Sequence, residues 1–253
     1  MHKKELIIKA AHAGGKVLLK YFGTDLKVKT KSILADLQTD ADVGSEKAIL
    51  KILEKEFPKH NIWGEESGLQ DKKSKYTFVI DPLDGSLNYI YNIPYFSVAI
   101  ALLKDKEPIL SVIYDPVLGR TYYAEKNKGA FLNNKKIRVN KESNIKNTSV
   151  VYIARYINSK QYYLNLLEKL HNYEVKRVLV NWSVALDFCL FSMGKIEAII
   201  HNGSEPYDYA AGKLLAQEAG ALITNFKGDK KFKEEEFLVT NGTKIHKQLL
   251  KII

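Results

Sequence analysis

The chain has 253 residues, 45% of them hydrophobic, and a formal net charge of +10 at neutral pH. This length allows one domain, or two tightly packed halves, around a large core. The longest apolar stretches, such as Phe96 to Leu103, are much shorter than the roughly 20 residues that span a bilayer, and the first residues are amphipathic, unlike a secretory signal. We therefore expect a globular cytoplasmic protein with no membrane span.

The cysteine content and the distribution of charge exclude further classes. The single cysteine, Cys189, supports neither an internal disulfide nor a cysteine-based metal site, and its apolar sequence context predicts a core position. The positive charge favours phosphorylated metabolites or nucleic acid as partners. Because the lysines occur in scattered pairs, without zinc-finger spacing or a single basic helix, a solvated surface is the preferred explanation.

Helices followed by strands are predicted for the first half of the chain. Glu5 to Phe22 carries apolar residues at helical spacing. Thr39 or Asp40 can cap a second helix, which Pro58 ends. Residues rich in β-branched and aromatic side chains predict three strands, at Tyr76 to Ile80, Phe96 to Leu103 and Ile109 to Tyr114. This half is interpreted as helices packed on a sheet, with a hairpin turn at Asn133-Asn134.

Strands and helices alternate after Lys141. Strands are predicted at Ser149 to Ile153, Glu174 to Val180, Glu197 to Ile200, Ala221 to Thr224 and Glu236 to Val239. Helices are predicted at Gln161 to His171, Ser183 to Met193 and Tyr207 to Ala219, and Gly220 suits a left-handed cap at the end of the last one. The change of pattern divides the chain into residues 1–145 and 146–253, which we expect to form one compact unit.

Two carboxylates end the strand that begins at Tyr76. In the segment Asp81-Pro82-Leu83-Asp84 they lie just before a glycine turn, an arrangement that costs free energy unless a cation neutralises it. Pro82 stiffens the backbone and removes one donor, so that Asp81, the Leu83 carbonyl and Asp84 can turn toward one point. Such oxygen ligands are those that Mg²⁺ prefers.

The next two residues, Gly85 and Ser86, favour contact with an anion. Gly85 lets the backbone approach a ligand closely. A helix or turn that begins at Ser86 would direct free N–H groups and a hydroxyl toward a phosphate. An Asp-Pro turn with a side-chain cap is the purely structural alternative for this segment.

Acidic residues elsewhere in the chain complete the pattern. Glu65 follows a short apolar stretch and gains significance only if it lies beside Asp81, because two adjacent surface glutamates are usually just solvated. Asp208 occupies the first turn of the Tyr207 helix, where an acid also stabilises the helix dipole. Taken together, four carboxylates, a hydroxyl and a glycine turn are what metal-assisted attack on phosphate requires.

The combined motifs resemble those of the inositol monophosphatase family. They are Gly64-Glu65-Glu66-Ser67, Asp81-Pro82-Leu83-Asp84-Gly85-Ser86 and Tyr207-Asp208-Tyr209-Ala210-Ala211-Gly212. The resemblance also covers Thr39 to Glu46 and the order of the elements, and so extends over nearly the whole chain. It implies an α/β fold layered as an αβαβα sandwich, a homodimer, and Mg²⁺-dependent hydrolysis of a small polyol or sugar phosphate.

The resemblance also implies a set of metal ligands. Glu65, Asp81 and the Leu83 carbonyl would hold one Mg²⁺, and Asp81, Asp84 and Asp208 would hold a second. A third, weaker Mg²⁺ would lie near Glu65. In the two-metal arrangement, one ion activates the attacking water and the other stabilises the leaving alkoxide.

Further roles are carried over by position. Glu65 and the Ser86 hydroxyl would orient and deprotonate the attacking water, and Asp42 would hydrogen-bond Ser86, although an acid at position 42 also suits the start of a helix. Lys31 would close over the phosphate or remain a solvated lysine. The residues expected to face the substrate are Asp84, Gly85, Ser86, Ser183 and Asp208.

Two positions depart from the family pattern and leave the substrate open. Trp182 replaces a glycine before Ser183, where it would narrow the pocket, stack on a ring, or pack in the core. His201 stands where inositol-specific members have an acid. Fructose-1,6-bisphosphatase and 3',5'-bisphosphate nucleotidase activities are therefore the enzymatic alternatives, and binding to RNA or a transcription complex is the non-enzymatic one.

Overall fold

The computed structural model describes residues 2–30, 37–154, 160–233 and 235–253. Seven α-helices are formed by the described residues: α1 Lys3–Tyr21, α2 Asp40–Glu56, α3 Ser86–Ile90, α4 Lys160–Asn172, α5 Val184–Ser192, α6 Pro206–Ala219 and α7 Ile245–Ile252. None of these described helices combines the length and apolar composition needed to cross a membrane. Lys31, for which a role near the phosphate was predicted, lies outside the described residues.

Three sheets contain the described strands. A small ribbon pairs β1 Val28–Thr30 with β2 Leu37–Thr39. The large sheet contains β3 Asn61–Gly64, β4 Gly68–Gln70, β5 Tyr76–Asp84, β6 Ser97–Lys104, β7 Glu107–Asp115, β8 Arg120–Glu125, β9 Gly129–Leu132 and β10 Lys135–Ile137, in the order β10-β9-β8-β7-β6-β5-β3-β4. The third sheet contains β11 Ser149–Ala154, β12 Arg177–Leu179, β13 Ala198–Asn202, β14 Leu222–Thr224 and β15 Glu236–Thr240, in the order β12-β11-β13-β15-β14.

Alternation along the strands explains why helices cover both faces of each sheet. In β6, Val98 and Ile100 pack toward α1 and α2, whereas Ala99 and Ala101 pack toward α5 and α6. Successive side chains of a strand point to opposite faces, so a strand that is apolar throughout must be buried on both sides. The same alternation in the third sheet buries one face against α5 and α6 and the other against α4 and α7.

The layers are therefore α1/α2, the large sheet, α5/α6, the third sheet and α4/α7. This order confirms the predicted αβαβα sandwich. Helices α5 and α6 approach each other closely within the middle layer: a methyl group on Gly212 would come within 2.5 Å of the Phe188 ring. Glycine at this position lets α6 pack against α5 while both helices still contact the two sheets.

Most predicted elements of the first half are confirmed, and their limits are adjusted. The two long helices are present, and Asn133 and Asn134 adopt left-handed conformations in the turn between β9 and β10. The strand predicted to end at Ile80 continues to Asp84. Strands β1, β2, β4 and β8 were not predicted, and β3 corresponds to the short apolar stretch before Glu65.

In the second half, the predicted strand from Glu174 to Val180 is shorter in the structure. Glu174 has φ +56°, and the amide of Val175 still bonds to the end of α4 at Leu170. The chain is thus turning where a strand was expected. Helix α7 was not predicted. The large sheet uses only residues before 138 and the third sheet only residues after 148, while the division at 145/146 into two halves stays a prediction.

Candidate active site

Glu65 and Asp81 become neighbours because two parallel strands pair in register as far as the residue before each of them. Strands β3 and β5 run parallel, with Gly64 opposite Ile80. The amide of Glu65 donates a hydrogen bond to the Ile80 carbonyl at 3.1 Å. The next residue of each strand is an acid, so the register of a single strand pair brings two carboxylates to one sheet edge.

An irregularity in β5 carries the backbone from Asp81 to Asp84. Asp81 lies opposite Ala99 and Asp84 opposite Ser97, so the intervening two residues bulge out of the ladder. The Leu83 amide closes a turn on Asp81 Oδ1 at 3.0 Å. The Pro82 carbonyl accepts a hydrogen bond from the Ser45 hydroxyl on α2 at 2.8 Å. The bulge is thus fixed from within and from the outer helix layer.

Asp84 is held by donors from both halves of the chain. Its Oδ2 accepts from the hydroxyls of Ser97, at 2.9 Å, and of Ser183. Backbone N–H groups of Val184 and Ala185 also bond to the carboxylate. These amides begin α5, so Asp84 lies at the positive end of that helix. The predicted substrate-facing Ser183 is therefore a direct partner of a predicted metal ligand.

Gly85 and Ser86 form the turn after this carboxylate. Gly85 has φ +90°, and a methyl group there would come within 2.9 Å of the Tyr95 carbonyl oxygen, so both conformation and space require glycine. Ser86 begins α3, as predicted for a helix or turn at this residue. Its hydroxyl donates to the Leu83 carbonyl at 3.0 Å.

Asp208 reaches the same region from the start of α6. Its Oδ2 accepts from the Glu205 amide at 2.8 Å, and the Glu205 side chain accepts in return, forming a capping box. The Ser204 side chain hydrogen-bonds Asp208 as well. The sequence is equally consistent with Asp208 as an acid that stabilises the helix dipole, and in the structure Asp208 has that role and also lies near the other carboxylates.

The carboxylates share one electrostatic environment. Burial and the nearby charges of Glu65, Asp84 and Asp208 raise the pKa of Asp81 well above its usual range. Burial and the charge of Glu65 do the same to the pKa of Asp208. Burial also raises the pKa of Asp84, against the opposing effect of its hydrogen bonds from Ser183 and Ser97. Such carboxylates ionise together only when a positive charge compensates them.

The donor set fits a hard divalent cation chemically, although it is not preassembled. Among residues 2–30, 37–154, 160–233 and 235–253, no three Asp, Glu, His or Cys side chains form a ready coordination group. Several of the oxygens bond to the protein instead: Asp84 to serines, Asp208 to Glu205, and the Leu83 carbonyl to Ser86. A cation would draw these donors together against modest hydrogen-bond costs.

Asp42 is accounted for locally. Its Oδ2 accepts hydrogen bonds from the amide of Thr39, at 2.8 Å, and from the Thr39 hydroxyl, completing a capping box at the start of α2. This matches the structural alternative raised from sequence. The predicted hydrogen bond from Asp42 to Ser86 stays a prediction.

His201 belongs to the core. It is fully buried, and its ring nitrogens hydrogen-bond the Glu235 carbonyl at 2.7 Å and the Ser204 hydroxyl at 2.9 Å. Its ring stacks on Phe237 with the centroids 4.2 Å apart. His201 therefore bonds to Ser204, which in turn bonds to Asp208, and so supports the site from the core.

A polar network next to the site was not predicted from the sequence. The Asn88 amide donates to the carbonyls of Asn181, at 2.7 Å, and Tyr95, at 2.8 Å. Buried Asp187 accepts from the Asn181 side chain at 2.7 Å and from the Tyr95 hydroxyl at 3.0 Å. One signal was available: Asp187 is the only charged residue in Val184–Ser192, an otherwise apolar helix.

Comparison with known proteins agrees with this geometry. The model of the inositol monophosphatase family matches residues 3–253. The chain belongs to the inositol monophosphatase family. Membership supports a phosphatase that hydrolyses phosphorylated sugars or polyols, in a family that generally uses Mg²⁺.

Relatives of this family member carry two kinds of name. A fructose-1,6-bisphosphatase/inositol-1-monophosphatase of Aquifex aeolicus is 35% identical over 221 residues, covering 85% of this chain and 82% of the relative. The Nus factor SuhB of Xylella fastidiosa is 33% identical over 258 residues, covering 98% and 93%. The crystal structure of the extragenic suppressor protein SuhB of Bartonella henselae superposes with a TM-score of 0.92 at 28% identity, covering 98% and 96%.

Asp187 is expected to make stability depend on pH. Burial raises the pKa of Asp187 to about 7, whereas an unfolded aspartate titrates near about 4. Between these values the unfolded chain is ionised while folded Asp187 retains its proton, so its contribution to stability falls as pH rises from about 4 to about 7. The Tm of Asp187→Asn relative to wild type should therefore be roughly 6–12 °C higher at pH 7.5 than it is at pH 4.5.

Thermal unfolding across that pH range measures the effect. Tyr95→Phe is the matched control, because it removes one donor to Asp187 but leaves the titrating carboxyl in place. The control should lower the Tm at every pH without flattening the pH dependence. An equal difference between Asp187→Asn and wild type at both ends of the range would contradict the prediction.

Proposed function

We propose that this protein is a Mg²⁺-dependent phosphomonoesterase that hydrolyses a small polyol or sugar phosphate. The observation that carries the proposal is the group of carboxylates formed by Glu65, Asp81, Asp84 and Asp208, whose mutual repulsion and burial raise the pKa of Asp81 and Asp208. Such an arrangement costs stability unless a cation occupies it, and family membership supports a phosphatase.

The ligand roles are those that the resemblance to the inositol monophosphatase family implies. Glu65, Asp81 and the Leu83 carbonyl would hold one Mg²⁺, and Asp81, Asp84 and Asp208 a second, with a weaker third near Glu65. When bound, Mg²⁺ supplies Lewis acidity and neutralises charge on the phosphate and the leaving oxygen.

The chain's own groups would bind and orient the reactants. Glu65 is partly buried beyond the end of β3, and from there it would accept a proton from the attacking water. The Ser86 hydroxyl donates to the Leu83 carbonyl and keeps its lone pairs available to position that water. The amides at the Gly85 turn and the hydroxyl of Ser183 lie beside Asp84, where the phosphate would bind. Asp42 would act through Ser86.

Phosphate release is the first test. We expect Mg²⁺-dependent release from inositol 1-phosphate, fructose 1,6-bisphosphate or both, because relatives are named for both activities. Adenosine 3',5'-bisphosphate tests the nucleotidase alternative in parallel. Chelator should abolish release from each substrate. Release that is unchanged in chelator would contradict a metal-dependent mechanism, and a preference for the nucleotide would replace the polyol or sugar assignment.

Removing one carboxylate should separate stability from function. Asp81→Asn relieves the repulsion at the site, so we expect a higher Tm than wild type in chelator, by roughly 2–4 °C for each kcal/mol relieved. The variant should lose the Tm increase that saturating Mg²⁺ gives wild type, and its phosphate release should fall more than about 100-fold.

Thermal unfolding with and without Mg²⁺ provides the measurement, and exposed Asp25 provides a matched control. Asp25→Asn should behave as wild type in stability, Mg²⁺ response and turnover. If Asp81→Asn retained full turnover, the carboxylates would not be the catalytic centre. If it destabilised the protein in chelator, the electrostatic account of the site would be wrong.

A second candidate function is RNA binding through the basic surface. The net charge of +10 and the relatives named Nus factor SuhB favour it. A salt-dependent mobility shift of RNA that persists in Asp81→Asn would support a role separate from catalysis. Absence of a shift at low salt would remove this candidate. The homodimer and the cytoplasmic location are expectations that stay predictions.

A further inference from the structure

Trp182 lies at the edge of the third sheet where parallel strands end. Strands β12, β11 and β13 are parallel, and Trp182 follows the end of β12 at Leu179. The residues after β13 lead into the turn that carries Asp208. In sheets with parallel strands, ligands bind beyond the carboxyl ends. Trp182 is therefore on the side of the sheet that contributes to the proposed active site.

The backbone at Trp182 is strained and is held in place from both sides. Trp182 has φ +57°, a conformation that costs a bulky residue free energy. Asn181 before it is fixed by Asn88 and Asp187, and the hydroxyl of Ser183 after it bonds to Asp84. Strain that persists because the surroundings enforce it is typical of functional positions.

The indole does not stabilise the core in return. Trp182 is 50% exposed to solvent, so the alternative that it packs in the core is wrong. Other exposed apolar side chains occur nearby in the sequence: Val180 is two residues before Trp182, and Tyr91 and Ile93 follow Asn88, whose side chain bonds to the Asn181 carbonyl. A large aromatic face is thus presented to solvent one residue away from a partner of Asp84.

We propose that Trp182 is a specificity-determining residue whose indole packs against the flat face of a ring in the substrate. The inference rests on the proposed phosphatase function and names its substrate class. We expect phosphate monoesters of ring-containing alcohols to be preferred to those of open-chain alcohols. The shared chemistry is an apolar ring face, which a cyclitol, a furanose or a nucleobase can each supply. An open-chain ester such as glycerol 2-phosphate offers no such face.

Turnover by two variants tests the proposal. Trp182→Gly should lower kcat/KM for the preferred cyclic substrate by roughly 5- to 150-fold, mainly through KM, because the stacking contact is lost. Trp182→Phe should retain most of the value. With glycerol 2-phosphate, both variants should match wild type. Comparing inositol 1-phosphate, fructose 1,6-bisphosphate and adenosine 3',5'-bisphosphate identifies which ring is bound.

Stability and an exposed aromatic control exclude a merely structural role. Glycine adopts the backbone conformation of Trp182 without strain, so the Tm of Trp182→Gly should equal or exceed that of wild type. Tyr173 is also an exposed aromatic residue, but it precedes β12 and lies at the opposite end of that strand. Tyr173→Gly should leave kcat/KM unchanged for every substrate.

Several outcomes would overturn the proposal. One is an equal loss of activity of Trp182→Gly toward glycerol 2-phosphate and toward the ring-containing substrates. Another is unchanged activity of this variant toward all of them. A third is a change in oligomeric state of Trp182→Gly measured by light scattering, which would make Trp182 an interface residue between copies of the chain.

A binding measurement keeps the inference separate from the proposed function. Trp63→Phe leaves Trp182 as the only tryptophan. Its fluorescence, recorded with Mg²⁺ immediately after mixing, should change with a phosphate monoester of a ring-containing alcohol and not with glycerol 2-phosphate. This holds even if no ester is hydrolysed, which would defeat the proposed function alone. If the fluorescence changed with none of the three ring-containing substrates, the role of Trp182 would be overturned.

Discussion

The mutual repulsion of buried carboxylates is the constraint on which the rest of the site depends. Asp81, Asp84 and Asp208 are brought together with Glu65 at one edge of the large sheet, where burial opposes their ionisation. A folded chain tolerates this only if the carboxylates are supported by donors or by a cation. The surrounding structure supplies the donors, and the proposed Mg²⁺ would supply the cation.

The sandwich provides those donors from separate parts of the chain. Ser97 belongs to the large sheet, whereas Ser183 and the amides that follow it belong to the beginning of α5 in the middle layer. The beginning of α6 brings Asp208 together with Ser204. Both middle helices thus start at the site, so that their positive ends lie near the acids. The layered packing therefore also determines the electrostatics of the site.

The polar network around Asp187 extends this support to the substrate side. Asn181 links it to Asn88, and these contacts fix the loop on which Trp182 adopts a strained, exposed conformation. A site that keeps acids buried and an aromatic residue strained sacrifices stability for function. His201, by contrast, is a core residue, and its hydrogen bond to Ser204 supports a partner of Asp208.

The sequence by itself determined the acidic motifs and, through their resemblance to those of a known family, the layered fold. The apolar run from Phe96 to Leu103 indicates a strand, and the pattern around Asp81 indicates carboxylates at a strand end, because both signals are local. Only the tertiary structure decided which residues meet. The pairing of Asp84 with Ser183 spans 99 positions, and Trp182 was equally consistent with core or surface until the packing of distant strands and loops placed it at the sheet edge.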